Sequence, residues 1–162
     1  MKTLMLMRHA KSSWAESGVD DFDRELNARG KKAAPLMGEW FVSHSLVPDV
    51  VLASTAKRAK ETARLVTDAA DFRGEIFWEQ RLYLAPAELL LEIVSTIDDR
   101  FERLLVIAHN PGLEHLVSTL RHEFVPFPTA AVACFESTAH HWRDATDLAQ
   151  WRPIQFATPK EL

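Results

Sequence analysis

Apolar residues along the chain fall into two kinds of run. Leu4-Met5-Leu6-Met7, Val50-Val51-Leu52-Ala53 and Leu104-Leu105-Val106-Ile107-Ala108 are short, unbroken and without helical spacing. Runs of that length predict buried strands. Ile76-Phe77-Trp78 is a weaker strand of the same kind, and Thr129 to Phe135 and Trp151 to Ala157 predict two more. The last belongs at a sheet edge, because Pro153 cannot donate to a ladder. Between the strands the apolar positions recur every three or four residues, as one face of a helix requires. Ala33, Leu36, Met37, Trp40 and Phe41 follow Asn27, a natural N-cap. Ala59, Thr62, Ala63 and Val66 follow Ser54 and Thr55, either of which can cap, and Asp71 and Gly74 end that helix. Leu90, Ile93, Val94 and Ile97 follow Pro86 at a first helical position, and Leu113, Leu116, Val117 and Leu120 follow Asn110-Pro111-Gly112. The polar stretch from Lys11 to Arg24, with Gly18, predicts a long loop.

Strands and helices in alternation predict an α/β fold: a single domain over residues 1–162, with a mostly parallel six-stranded sheet and helices on both faces. No internal repeat, low-complexity tract or Gly/Ser linker divides the chain. The composition fits. Of 162 residues, 47% are hydrophobic and 26% charged, which excludes global disorder. One Cys excludes an internal disulfide framework. A net charge of −4 gives no reason to expect nucleic acid or an anionic membrane, although it can hide a local cationic pocket. The apolar run at Met1 to Met7 is too short for a secretory h-region, and nothing approaches a membrane span. The expectation is a soluble, cytoplasmic protein, a monomer or weak dimer.

In open α/β sheets, ligands bind beyond the carboxyl ends of the strands. Arg8 and His9 follow the first strand there, Ser54, Thr55 and Arg58 the second, and His109 the fourth. Singly these are ordinary residues: a surface Arg-His pair, a solvated helix Arg, a structural His. Together they aim two Arg and two His at one rim from three segments, and the ligand that fits best is a phosphate dianion. Guanidinium forks suit phosphate oxygens, and helix starts near Thr55 and Pro111 add backbone N–H groups.

Three blocks carry a resemblance: Met7-Arg8-His9-Ala10, Ser54-Thr55-Ala56-Lys57-Arg58-Ala59-Lys60-Glu61-Thr62-Ala63, and Val106-Ile107-Ala108-His109-Asn110-Pro111. In this order and spacing they resemble the histidine phosphatase superfamily, the phosphoglycerate mutase-like group. Arg8-His9-Ala10-Lys11-Ser12-Ser13-Trp14 and the short length resemble its SixA-like phosphohistidine phosphatase branch. The resemblance runs from Met1 to about Glu114 and loosely beyond. It implies a phosphoglycerate mutase-like fold without a cap domain. It also implies His9 as the nucleophile that becomes a phosphohistidine, Arg8 and Arg58 as phosphoryl clamps, and His109 as a further catalytic and phosphate-binding group. Ser12 and Asn110 would add phosphate contacts. No cofactor or metal is called for, and the implied partner is a phosphorylated protein, such as a histidine phosphotransfer domain in signal transduction. The chemistry agrees with the residues, since a neutral imidazole can attack phosphorus and phosphoryl transfer needs chiefly positioning and charge stabilisation.

The chain also departs from the family pattern. Ala10 and Asn110 stand where Gly is usual, and Ala15 stands where many members have Asn. Phosphomonoesterases of the family carry an acid in the stretch matching Arg81-Leu82-Tyr83-Leu84, which here has no carboxylate. Glu79 and Glu88 flank it, and both read as solvated charges. An ester needs a proton on its leaving alkoxide, for which a positioned acid is worth about 10²–10⁴-fold. A missing acid favours a P–N substrate. Asp20, Asp21 and Asp23 in the first loop, or Glu88, keep a small-molecule phosphomonoesterase as the alternative, and a non-catalytic phospho-residue binding module is the third reading. His115, His122, His140 and His141 lack zinc-site spacing. Cys134 reads as a packing residue, and Trp14 either walls the pocket or packs the loop.

Overall fold

The computed structural model describes residues 1–14 and 17–162. The described residues form one six-stranded sheet and four α-helices. In chain order they are β1 (Lys2–Arg8), α1 (Ala28–Ser43), β2 (Val50–Ala53), α2 (Lys57–Ala69), β3 (Glu75–Trp78), α3 (Ala87–Val94), β4 (Arg103–Ala108), α4 (Gly112–Arg121), β5 (Val132–Ser137) and β6 (Arg152–Ala157). Strand order is β3-β2-β4-β1-β5-β6. β3, β2, β4 and β1 run parallel, and β5 and β6 complete the sheet antiparallel.

Alternation along β1 divides the core. Leu4 and Leu6 face one layer with Leu90, Val94, Leu113 and Leu116 of α3 and α4. Met5 and Met7 face the other, with Met37, Phe41, Ala63 and Val66 of α1 and α2. Central parallel strands covered on both faces read as continuous apolar runs for this reason. β6 lies at an edge and β3 at the other, which is why Phe77 and Trp78 stay about 38% exposed.

Three local expectations shift. α3 ends at Val94, so Ile97 lies in the turn beyond it. Asn27 caps α1 through the Gly30 N–H, at 2.9 Å, but the buried face is Ala34, Met37, Trp40 and Phe41, with Ala33 half-buried and Leu36 exposed. Gly38 sets that rotation: a Cβ there would lie 2.5 Å from the Val66 carbonyl of α2. α2 starts after Ala56 with no side-chain cap; the Ser54 hydroxyl accepts from the Ala56 N–H at 3.2 Å, ahead of the helix, and pairs with a histidine.

The polar first loop is anchored at both ends. Ser12 and Leu26 form an isolated antiparallel bridge, and residues Asp21–Asp23 make a 3-10 turn against α2. Among the described residues, no helix is long and apolar enough to cross a membrane.

Candidate active site

β1 and β4 are adjacent and parallel, with Arg8 opposite Ala108. Their next residues, His9 and His109, therefore emerge side by side, with ring centroids 5.1 Å apart. Arg58, in the first turn of α2 beyond β2, reaches the same place, and its Nε donates to His9 Nε2 at 3.3 Å. His9, Arg58 and His109 are buried, at 5%, 2% and 1% exposure. They line a cavity of about 240 Å³ with Arg8, Ser12, Asp21, Arg24 and Asn110.

The proton arrangement on His9 follows from its neighbours. Nδ1 lies 2.8 Å from the Ala10 carbonyl. A carbonyl only accepts, so Nδ1 carries the hydrogen and Nε2 keeps its lone pair. Burial pushes the His9 pKa well below its ordinary 6.5, and His109, Arg58 and Arg8 push it further; the Ala10 hydrogen bond opposes them without prevailing. His109 is held down to about 3, first by burial and then by the Arg58 charge, with Asp21 opposing. Both rings are neutral at pH 7. His109 Nε2 pairs with Ser54 Oγ at 2.7 Å, and its buried Nδ1 has no partner.

Asp21 comes in from the first loop. Its Oδ2 accepts from Arg58 Nη2 at 3.0 Å and from the Tyr83 hydroxyl, and its Oδ1 accepts from Arg24 Nε at 3.1 Å. Burial raises the Asp21 pKa, but the Tyr83 and Arg58 hydrogen bonds, with the charge of Arg58 and the bond from Arg24, outweigh it and hold it at about 2. Arg24 also donates to Ser12 Oγ at 2.7 Å and lies 3.5 Å over the Trp14 ring. Arg8 donates to the Phe127 carbonyl at 3.3 Å, while its buried Nε has no partner. Three guanidinium groups thus face one cavity, and the sole carboxylate lining it among the described residues is Asp21.

Comparison with known proteins agrees with this geometry. The model of the histidine phosphatase superfamily (branch 1) matches residues 4–82. The uncharacterized protein Rv1276c of Mycobacterium tuberculosis is 33% identical over 149 residues, covering 85% of this chain and 90% of its own. The proposed phosphohistidine phosphatase SixA of Agrobacterium tumefaciens superposes with a TM-score of 0.84 at 27% identity, covering 98% of both chains. Its proposed counterpart from Nakamurella multipartitia gives 0.83 at 26% identity, covering 98% and 96%. The chain belongs to the histidine phosphatase superfamily.

Within that superfamily it is SixA-like, with a phosphoglycerate mutase-like fold. Arg8, His9, Arg58 and His109 of this SixA-like protein meet where the sequence aims them. Ser12 also reaches the cavity, with its oxygen already bound to Arg24. Asn110 lines it too, but its amide donor is committed to the Phe127 carbonyl at 2.8 Å, and the buried atom left without a partner is an acceptor. That suits holding the Phe127 loop better than holding phosphate oxygens. Ala10 tolerates a Cβ in place of the usual Gly because its φ is not positive; its N–H donates to Thr62 Oγ1 at 3.0 Å, tying β1 to α2. Ala15 lies outside the described residues.

Sequence reasoning passed over Arg24, Tyr83 and the second role of Thr62. Arg24 arrives through the Ser12–Leu26 bridge and Tyr83 through the turn after β3; neither has a periodic signal. Glu79 pairs with Arg81 at 2.7 Å, and Glu88 is exposed on α3; neither lines the cavity. Trp14 lines the cavity and is 74% exposed. Burial raises the Cys134 thiol to about 12, so it is inert at neutral pH. Among the described residues, no three His, Cys, Asp or Glu side chains gather into a metal-ligating group.

Proposed function

We propose that this protein is a phosphatase that hydrolyses protein phosphohistidine through a phospho-His9 intermediate, without a metal. Nε2 of His9 attacks phosphorus in line with the scissile P–N bond. Arg8, Arg24 and Arg58 hold the phosphoryl oxygens, and His109 contributes a neutral Nδ1–H when Ser54 donates to its Nε2. The substrate imidazole leaves as a neutral ring, having carried a proton on its other nitrogen. Water then attacks phospho-His9, releasing inorganic phosphate and restoring the ring.

The observation that carries the substrate class is the state of Asp21. It is the carboxylate at the cavity, and its pKa of about 2 keeps it ionised. An ionised carboxylate cannot protonate an alkoxide, whereas a phosphorylated imidazole does not need it to. Size supports the same reading. A cavity of about 240 Å³ lies below the roughly 300–1,000 Å³ of small-molecule sites, so it takes a phosphoryl group more readily than a whole metabolite. Between β3 and β4 lie only a 3-10 turn at Gln80–Leu82 and α3, which supports a site without a cap domain. Trp14 and Leu84, 74% and 51% exposed, give the cavity an apolar rim suited to a protein surface. The partner is a phosphorylated protein, of which a histidine phosphotransfer domain is one example, met in the cytoplasm.

The test compares kcat/KM on a phosphohistidine protein and on an alkyl phosphate, with His9→Ala as control. The P–N substrate should be preferred by at least about tenfold, His9→Ala should be inactive on both, and a chelator should change neither rate. An alkaline quench should trap acid-labile phosphate on His9. Preference for the ester overturns this reading in favour of a phosphomonoesterase. A phosphoenzyme that never turns over supports a binding module.

A further inference from the structure

Beside the His9 cavity lies a larger groove of about 500 Å³. Its cationic side is Lys11, Arg29, Lys32 and Lys160, and its apolar floor includes Leu36, Pro128 and Pro159. Lys11 and Thr129 line both, so groove and cavity are neighbours. Lys31 stands on the adjoining surface. All five cations are exposed, and among the described residues none is paired with a carboxylate.

This concentration runs against two expectations. The whole chain is net negative, at −4. Arg29, Lys31 and Lys32 also crowd the start of α1, whose first turn has no acidic residue. Cations are unfavourable at that positive end of the helix dipole. α2 also opens on cations, Lys57, Arg58 and Lys60, of which Arg58 serves the His9 cavity, while α3 and α4 follow the ordinary rule with Glu88 and Glu114 in their first turns. The helix dipole therefore does not account for the cations of α1. The exposed Leu36 and the two prolines ask for apolar contact as well.

We propose that this groove docks an acidic, partly apolar segment of the same phosphorylated protein whose phosphoryl group enters the His9 cavity. The inference rests on the phosphoprotein reading given above. A small phosphate ester seated at His9 would leave the groove empty, whereas a protein presenting a phosphorylated side chain covers both. No aromatic side chain lines the groove among the described residues, so it lacks the stacking platform that single-stranded nucleic acid uses.

Two synthetic phosphohistidine peptides test this, identical except for a flanking run of Glu or of Gln. In the wild-type protein the Glu peptide should have a KM about tenfold lower at low salt, with kcat unchanged. The advantage should vanish at about 0.5 M salt, where the Debye length falls to a few ångström. It should also vanish in the triple variant Arg29→Gln/Lys32→Gln/Lys160→Gln, which should still hydrolyse phosphoramidate at the wild-type rate. Equal KM for both peptides, or a Glu advantage that survives in the variant, overturns the docking site. A fluorescein-labelled, unphosphorylated Glu peptide separates this from the substrate reading. If neither phosphopeptide is turned over but the labelled peptide binds the wild type and not the variant, the substrate reading fails and the acidic docking site stands. If both are turned over alike and the labelled peptide does not bind, docking fails alone. A single-stranded oligonucleotide that binds more tightly than the Glu peptide, and loses that binding in the variant, overturns the choice of occupant.

Discussion

His9 and His109 refuse protons that the same residues accept in the unfolded chain, and that difference is a pH-dependent stability. Each has an ordinary pKa near 6.5 and a lowered one in the fold, caused first by burial. The unfolded state therefore binds more protons below about pH 6.5. Stability is full above that pH and falls as the pH drops toward about 3, the value that burial gives His109. Between pH 7 and pH 5 the His109 ring removes about 2 kcal/mol, and His9 acts in the same direction. Urea unfolding of His109→Asn at pH 7, 6 and 5 should show a slope shallower by that amount than the wild type's. Equal slopes would mean that His109 is not held neutral, whatever the variant's absolute stability. Asp21 acts in the opposite sense at the clamp. Its carboxylate occupies the Arg58 and Arg24 groups that a phosphoryl oxygen would use. Asp21→Asn should tighten inhibition by inorganic phosphate several-fold and leave phosphohistidine turnover within about threefold. If Asp21 serves an ester as acid, the same change should lower alkyl phosphate turnover by about 10²–10⁴-fold.

At the scale of elements, the first loop and α1 are fitted backbone to backbone. Gly30 lies so close to the loop that a Cβ would sit 2.2 Å from the Lys11 carbonyl oxygen. The same oxygen accepts from the Asn27 N–H at 3.0 Å. Neither partner is a flexible side chain, so Gly30→Ala must displace α1 or the segment that follows His9. It should cost about 1–3 kcal/mol in chemical denaturation, as overpacking does, and raise the KM for phosphoramidate together with it. An unchanged KM would show that the loop after His9 moves independently of α1. This contact also marks what could and could not be read beforehand. β1, β2 and β4 were legible because buried parallel strands are unbroken apolar runs, and α4 because all four of its apolar positions face the core. The rotation of α1 was not, since the close approach of Gly38 to α2, rather than the greasiest residues, decides which side is buried. The apolar run predicts a strand over Thr129 to Phe135, yet β5 starts at Val132 and runs antiparallel, a direction no periodicity encodes. Arg8, His9, Arg58 and His109 could be placed together because strand ends share a rim; Arg24 and Tyr83 could not, because they arrive on irregular segments.

At the scale of the molecule, the His9 cavity has no element of its own. Arg8 and His9 come from the end of β1, Arg58 from α2, His109 from the end of β4, and Asp21 and Arg24 from the first loop. These segments pack into both layers of the core, so the cavity assembles only when both layers do. An anion bound there reports on the whole fold. Inorganic phosphate at 100 times its dissociation constant should stabilise the native state by about 2.7 kcal/mol. For a chain of this size that raises Tm by roughly 5–10 °C. Arg58→Ala removes a buried guanidinium central to the clamp and should abolish most of that rise, whatever its own Tm without phosphate. Arg29→Gln, in the neighbouring groove, should keep it. Scanning calorimetry with and without phosphate decides between a cavity integral to the fold and a local surface site. In the first case the whole transition moves as one. In the second, phosphate broadens or splits it, and the assembly of the cavity from both core layers would be refuted.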